Sequence, residues 1–157
     1  MAKNNVVLIP VDSVSEHSRA VILHALKHNV QPDDVVEVLH IIKPSLFAAL
    51  KTSYEHREID EITQQFTGFI KDIVQSSGVS NKISLNVLHG DAKGYIMMEI
   101  NERSPRLVVM GAHAHGVLPG TGSITGYVSQ RSPCPVLVLP HTVSSVESAA
   151  GSVPIAA

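Results

Sequence analysis

The 157-residue chain contains one cysteine, no tryptophan and nearly equal numbers of acidic and basic residues. A single thiol, Cys134, cannot form an internal disulfide, which fits a reducing compartment, so we expect a cytoplasmic protein. No apolar run approaches the roughly 18 residues that a membrane-spanning helix needs, and the first residues do not form a signal-peptide core. The net charge of −2 supplies no basic footprint for a nucleic-acid backbone or an anionic membrane. We therefore expect neither nucleic acid nor membrane as a partner.

The hydrophobic content of 44% is typical of a folded globular protein, and the length suits one domain with a substantial core. The segment after Pro140 is different, because it is small, polar and aperiodic. We predict one domain over residues 1–140 and a flexible tail over residues 141–157.

Within that domain, strand-like and helix-like patterns alternate strictly. Strands are predicted at residues 5–11, 35–42, 82–88, 107–110 and 136–139. Helices are predicted at residues 13–29, 55–77, after Asp91 and at residues 123–131, whereas residues 45–54 are predicted as a loop with a possible lid helix. The alternation predicts an α/β fold: a doubly wound, five-stranded parallel sheet of order 3-2-1-4-5 with helices on both faces.

In that order, the switch point lies between the first and fourth strands, and ligands of such sheets bind outside the carboxyl ends there. The fourth strand runs into a glycine-rich loop and then a helix start at Ser123. Bare backbone N–H groups and a helix dipole converge in such a segment, which makes it suited to an anion. The sequence therefore predicts a phosphate site facing Asp12 and Ser13 from the first strand.

The order and spacing of several short motifs along residues 5–139 resemble the universal stress protein family. They are Pro10-Val11-Asp12-Ser13, Val38-Leu39-His40-Ile41-Ile42, Gly90-Asp91-Ala92, Val108-Val109-Met110-Gly111-Ala112-His113, Gly122-Ser123-Ile124 and Cys134-Pro135-Val136-Leu137-Val138. The resemblance implies a site for an adenine nucleotide, ATP or AMP, with or without Mg²⁺. It also implies a stress-response sensor or switch.

The nucleotide-binding branch of that family carries the loop G-x2-G-x9-G-[ST]. By position Gly111 matches the first glycine, and Gly122 with Ser123 match the end of the motif. The middle glycine falls on Ala114, and the loop is two residues shorter than the pattern. Gly116 or Gly120 could supply the missing backbone freedom if the shortened loop shifts its register.

The resemblance also implies roles for single residues. Asp12 matches the acidic residue that contacts the nucleoside end, and Ile41 matches a strand position whose backbone meets adenine. Asp12 could instead be the N-cap of the first helix, and Ser123 could be only the N-cap of the fourth. The predicted nucleotide contacts are Pro10, Asp12, Ser13, Ile41, Met110, Gly111, His113, Gly116, Gly120, Thr121, Gly122, Ser123 and Ile124.

The pair His113 and His115 raises two other possibilities, a metal site and a nucleotide hydrolase or transferase. Two histidines in one loop supply at most two metal ligands, and no Cys or carboxylate cluster lies nearby in the sequence. A histidine triad would need a third alternating histidine where Val117 stands, and a P-loop would need a lysine there. Because no general base or nucleophile can be identified, we expect binding rather than turnover, with at most slow ATP hydrolysis.

The alternative function is that of an interaction protein that keeps the fold and has lost nucleotide binding. The last predicted strand, Val136–Leu139, is apolar and lies at the edge of the sheet, where strands pair readily. In the family such strands pair across a two-fold axis, so the resemblance implies a homodimer through Val136–Leu139.

Overall fold

The computed structural model describes residues 5–44, 52–112 and 123–141. These residues form five strands and four helices in alternation. The strands are β1 (Val6–Val11), β2 (Val35–Ile42), β3 (Ile83–His89), β4 (Leu107–Gly111) and β5 (Val136–Leu139). The helices are α1 (Glu16–His28), α2 (Thr52–Ser77), α3 (Ala92–Arg103) and α4 (Ile124–Arg131).

The strands form one parallel sheet in the order β3-β2-β1-β4-β5, which confirms the predicted topology. Successive side chains of β1 enter opposite cores because a strand alternates its faces. Val7 and Ile9 pack with α1 and α2, whereas Leu8 packs with α3 and α4. Helices cover both faces of the sheet, and this explains why β1 is an unbroken apolar run in the sequence.

Helix ends follow local capping chemistry. Ser15 is the N-cap of α1, since its Oγ accepts a hydrogen bond of 3.1 Å from the Ser18 amide. The alternative in which Asp12 caps this helix is therefore wrong, because Ser15 already takes that place. Asp91 is the N-cap of α3, the helix predicted after this residue, with the Gly94 amide 2.7 Å from Oδ2. Gly78, at φ 70°, follows the last residue of α2, where the left-handed region favours glycine.

The α2 helix begins at Thr52, three residues before the predicted start. The predicted loop or lid at residues 45–54 falls largely outside the described residues, as do residues 142–157 of the predicted tail. Within the three described ranges, none of the helices combines the length and apolar character that crossing a membrane requires.

An ion pair fixes the amino end of β4 against the β2 side of the sheet. Asp34 has a side chain only 1% exposed, and both of its carboxylate oxygens accept from the guanidinium of Arg106, the Nε contact being 3.2 Å. Arg106 also donates to the Asn29 carbonyl at 3.0 Å, and the Gln31 amide donates to Asp34 at 2.6 Å. Arg106, to which the sequence assigned no role, therefore binds the segment between α1 and β2 to the start of β4.

Candidate functional site

The sheet opens between β1 and β4 at their carboxyl ends. The register between these strands consists of Val7 with Leu107 and Leu8 with Val108. On its other side, β1 stays paired with β2 as far as Val11, and β4 stays paired with β5 as far as Gly111. The two central strands therefore diverge beyond Leu8, at the switch point where doubly wound sheets bind ligands.

Asp12 lies at the β1 side of this opening, directly after the strand. Its side chain is exposed, and Oδ1 accepts hydrogen bonds from the Ser18 hydroxyl at 3.2 Å and the Ser13 hydroxyl at 3.3 Å. Ser18 is 3% exposed and receives a bond of 3.2 Å from the Ser15 hydroxyl. The carboxylate is therefore oriented by the first turn of α1. Of the other two predicted contacts here, Ser13 is exposed and Pro10 is buried.

On β2, Ile41 is 8% exposed, and its side chain belongs to the core beneath α3 and α4. The backbone contact with a nucleotide that the resemblance implies for Ile41 stays a prediction. The preceding residue, His40, lies on the opposite face, with Nδ1 3.0 Å from the Val11 carbonyl oxygen. Residues 40 and 11 are also register partners, so this side chain joins the ends of two strands.

At the end of β4, Gly111 leaves room for a neighbouring side chain. A Cβ there would lie 2.5 Å from His17 Nε2 and 3.0 Å from Val21 Cγ2. The described glycines with positive φ are Gly78 and Gly90, so Gly111 is not needed for a left-handed backbone. The His17 ring stacks on His141, with centroids 4.6 Å apart. The close packing of His17 and Val21 thus explains why a glycine stands here.

Met110, the preceding residue and another predicted contact, is 4% exposed and lies in the core beneath α3 and α4.

The α4 helix begins beside this strand end. Ser123 Oγ accepts from the Gly126 amide at 2.9 Å, so the N-cap role predicted as one alternative is confirmed. The Ile124 and Thr125 amides belong to the first turn and have no acceptor within the helix, and the helix dipole adds positive potential there. The Thr125 hydroxyl donates to the Gly111 carbonyl at 3.1 Å. The helix start is therefore anchored to the end of β4.

Five predicted contacts lie outside the described residues: His113, Gly116, Gly120, Thr121 and Gly122. The predicted phosphate loop between Ala112 and Ser123 therefore stays a prediction.

Among the described residues, Glu37, Arg103 and Cys134 have shifted pKa values and lie away from the opening between β1 and β4. Burial raises the pKa of Glu37, near the amino end of β2, although the positive charge of Arg103 opposes that shift. The hydrogen bond to Glu99 raises the pKa of Arg103, with an Nε to Oε2 distance of 2.6 Å. Burial also raises the pKa of the Cys134 thiol, which precedes β5. Glu37 and Arg103 belong to a half-buried ion network between β2 and α3, in which Arg103 Nη1 lies 2.9 Å from Glu37 Oε1.

Within the described ranges, no three His, Cys, Asp or Glu side chains lie close enough together to hold a metal ion.

Four residues that shape the opening were not among the predicted contacts: His17, Ser18, His40 and Thr125. Only His40 carried a signal in the sequence, because it is the one polar residue between Val38 and Ile42 and a buried polar side chain needs a hydrogen-bond partner.

A family model described as the universal stress protein family matches residues 3–140. The chain belongs to the universal stress protein family. Comparison with curated proteins finds no match. Among solved structures, the universal stress protein UspA from Lactobacillus plantarum is 21% identical, with a TM-score of 0.66 over 88% of this chain and 99% of that one.

Two other universal stress proteins of similar fold were solved with nucleotides. One, in complex with cAMP, is 16% identical, with a TM-score of 0.61 over 87% of this chain and 97% of that one. The other, from Arabidopsis thaliana with AMP bound, is 18% identical, with a TM-score of 0.57 over 87% and 91% of the two chains. At these identities the likeness establishes the fold that the two proteins share with this chain.

Proposed function

We propose that this universal stress protein binds an adenine nucleotide, ATP or AMP, at the opening between β1 and β4, and acts as a cytoplasmic sensor or switch in a stress response. The observation that carries the proposal is the loss of β1–β4 pairing beyond Leu8, with Asp12 on one side and the start of α4 on the other. The AMP and cAMP complexes of similar proteins support the choice of ligand.

Each side of the opening has chemistry suited to one end of such a ligand. The Asp12 carboxylate, oriented by Ser18, is an acceptor for ribose hydroxyls, and the backbone at Ile41 can meet the base edge. The amides of Ile124 and Thr125, with the Ser123 hydroxyl, can donate to phosphate oxygens. Mg²⁺ would accompany ATP through its phosphates.

The proposal is for binding, with at most slow hydrolysis. Turnover needs a positioned base or nucleophile beside the phosphates, and the residues assigned to the nucleotide are suited to holding charge. A sensor needs only that the nucleotide-bound and nucleotide-free states differ in affinity for a partner.

The test is calorimetric titration of the purified protein with ATP and AMP, together with native mass spectrometry for nucleotide carried through purification. Gly122→Ala with Ser123→Ala should abolish binding, because the pair removes the cap hydroxyl and replaces the glycine that the resemblance assigns to the end of the phosphate loop. Gly68→Ala with Ser129→Ala is the matched control: Gly68 lies in α2 with no atom within 4 Å of an added Cβ, and Ser129 is exposed on α4. A wild-type protein that binds neither nucleotide at millimolar concentration would rule the proposal out.

A second candidate function is assembly through the edge of the sheet without a nucleotide. Val138 on β5 is 39% exposed although it is a large hydrophobic residue, and β5 pairs with β4 on one side in the described structure. We propose a homodimer formed by pairing of Val136–Leu139 across a two-fold axis. Light scattering at increasing protein concentration tests it, and the double change at Gly122 and Ser123 should leave the dimer intact.

A further inference from the structure

His40 is a buried polar residue in the middle of the sheet, on the face covered by α2. It is 8% exposed and lies between the apolar residues Leu39 and Ile41. Its ring packs against Phe66 of α2, with centroids 4.6 Å apart and planes tilted by 30°. An imidazole held in such surroundings needs a defined polar partner, since burial of an unbonded polar group is unfavourable.

The partner is the carbonyl of the last residue of β1. Nδ1 of His40 lies 3.0 Å from the Val11 oxygen. A carbonyl oxygen can only accept, so Nδ1 carries the proton in this bond and donates it, which defines the tautomer. The contact is a cross-link between a side chain of β2 and the main chain at the carboxyl end of β1.

This cross-link lies where β1 has pairing on one side only. The β1–β4 register ends at Leu8 with Val108, so the β1 residues from Ile9 onward are held from the β2 side. Val11 directly precedes Asp12, and His40 directly precedes Ile41. One hydrogen bond therefore joins the two strand ends that carry the proposed contacts to the nucleoside.

We infer that His40 is a positioning residue for the nucleoside end of the site, acting through its hydrogen bond from Nδ1 to the Val11 carbonyl. The inference rests on the proposed function and adds a determinant of affinity to it. His40 fixes the main chain before Asp12, while the buried Ser18 hydroxyl orients the carboxylate itself. Without the imidazole, the carbonyl would lose its partner and the spacing between Asp12 and the Ile41 backbone would relax.

The ring is itself braced by α2, which limits how far it can move. Phe66 is 2% exposed and meets Phe69 edge-on at 6.2 Å, and the Arg19 guanidinium lies 5.2 Å from the Phe69 ring. Arg19 in turn donates to Asp72 at 2.6 Å. The same contacts that join α1 to α2 therefore support the orientation of the imidazole.

Two substitutions separate the hydrogen bond from simple packing. The side-chain amide of His40→Asn can place a donor near the position of Nδ1, whereas His40→Leu keeps an apolar volume and has no donor. We expect His40→Leu to weaken AMP and ATP binding by about tenfold, the effect of losing one buried hydrogen bond. Binding by His40→Asn should stay within about twofold of wild type, since the donor remains.

His89→Asn is the matched control, because His89 ends β3 on the same face of the sheet but pairs with Ile42 and not with β1. Its nucleotide affinities should equal those of wild type. Urea unfolding of each variant measures any general loss of stability. If His40 only stabilised the fold, the loss of affinity would follow the loss of stability, and His40→Asn would not restore nucleotide binding. Should His40→Leu fail to fold, His40→Gln replaces it, because the longer amide reaches the position of Nε2 rather than Nδ1.

Long-range ¹⁵N–¹H NMR of the wild-type protein should find the His40 proton on Nδ1, with or without nucleotide. A proton on Nε2 alone at neutral pH would overturn the inference. Two binding results would also overturn it while leaving the proposed function intact, provided that wild type binds nucleotide. One is an unchanged affinity in His40→Leu, and the other is an affinity in His40→Asn that falls as far as in His40→Leu. Failure of wild type to bind AMP and ATP would remove both.

Discussion

Replacing Gly111 with alanine tests whether this glycine exists to accommodate His17. The added Cβ would lie 2.5 Å from His17 Nε2, 3.2 Å from Cδ2 of the same ring and 3.0 Å from Val21 Cγ2. Val21 is 2% exposed in the core and cannot retreat, whereas His17 is only half-buried and stacks on the exposed His141. The strain of the substitution should therefore be relieved chiefly by displacement of the imidazole.

Overpacking of this kind destabilises a fold by about 1–3 kcal/mol. Because the closest atom is the tip of a side chain that can turn, we expect Gly111→Ala to cost about 1–2 kcal/mol in the free energy of unfolding. For a chain of this size the corresponding fall in Tm is roughly 2–8 °C. Urea denaturation followed by circular dichroism measures the free energy directly.

A double-mutant cycle identifies the cause. In a His17→Ala background the space is vacant, so Gly111→Ala should cost less by about 1 kcal/mol than in wild type. An equal cost in both backgrounds would refute the packing explanation. Gly68→Ala, with no atom within 4 Å of its Cβ, is the control and should be neutral or stabilising. The nucleotide affinity of the double variant then reports whether Gly111 also has to lie close to a phosphate.

Three further predictions concern other parts of the fold. Arg106→Leu should destabilise the protein by about 3–5 kcal/mol in urea unfolding, because it leaves the buried Asp34 carboxylate without its cation, and adding Asp34→Asn should recover part of the loss. Burial raises the pKa of Glu37, so the folded state binds this proton more tightly than the unfolded state does. The protonated Glu37 side chain therefore contributes fully to stability below about pH 4.5, and this contribution is lost as the pH rises through the raised pKa of the folded state. Glu37→Gln should abolish this decline, which urea unfolding at a series of pH values measures. Val138→Lys places a charge on an exposed edge position, and should shift the proposed dimer to monomer in light scattering while the far-UV circular dichroism spectrum stays that of wild type.

The fold could be predicted because its signals are local. The β1 and β4 segments are short, β-branched and apolar throughout, as strands covered on both faces must be. The helical spacing of Phe66, Ile70 and Ile73 on α2 matches the residues that the structure buries. Strict alternation of strands and helices then leaves few topologies, and the doubly wound order followed. The start of α2 was missed by three residues because Thr52, Ser53 and Tyr54 interrupt that apolar spacing.

The neighbours of the site were harder to predict, since they come from contacts between distant segments. Asp12 and Ser15 are both good N-cap types within one short loop, and sequence alone does not tell which of them faces the helix. The structure gives the cap to Ser15 and leaves Asp12 bound by Ser18. The bond from His40 to Val11 joins residues 29 positions apart, and only the strand register brings them together.

Two separate explanations account for the glycine at position 111. A glycine at the end of β4 fits the first position of a phosphate loop, and the same glycine is required by the imidazole of His17. The close approach of His17 therefore accounts for this glycine without a nucleotide. Ser123 has a cap role that accounts for it locally, yet a cap beside two amides without helical acceptors is also how helix ends bind anions. The stronger support for a ligand is thus the divergence of β1 and β4, because an opening in the centre of a sheet forgoes backbone hydrogen bonds that continued pairing would have made.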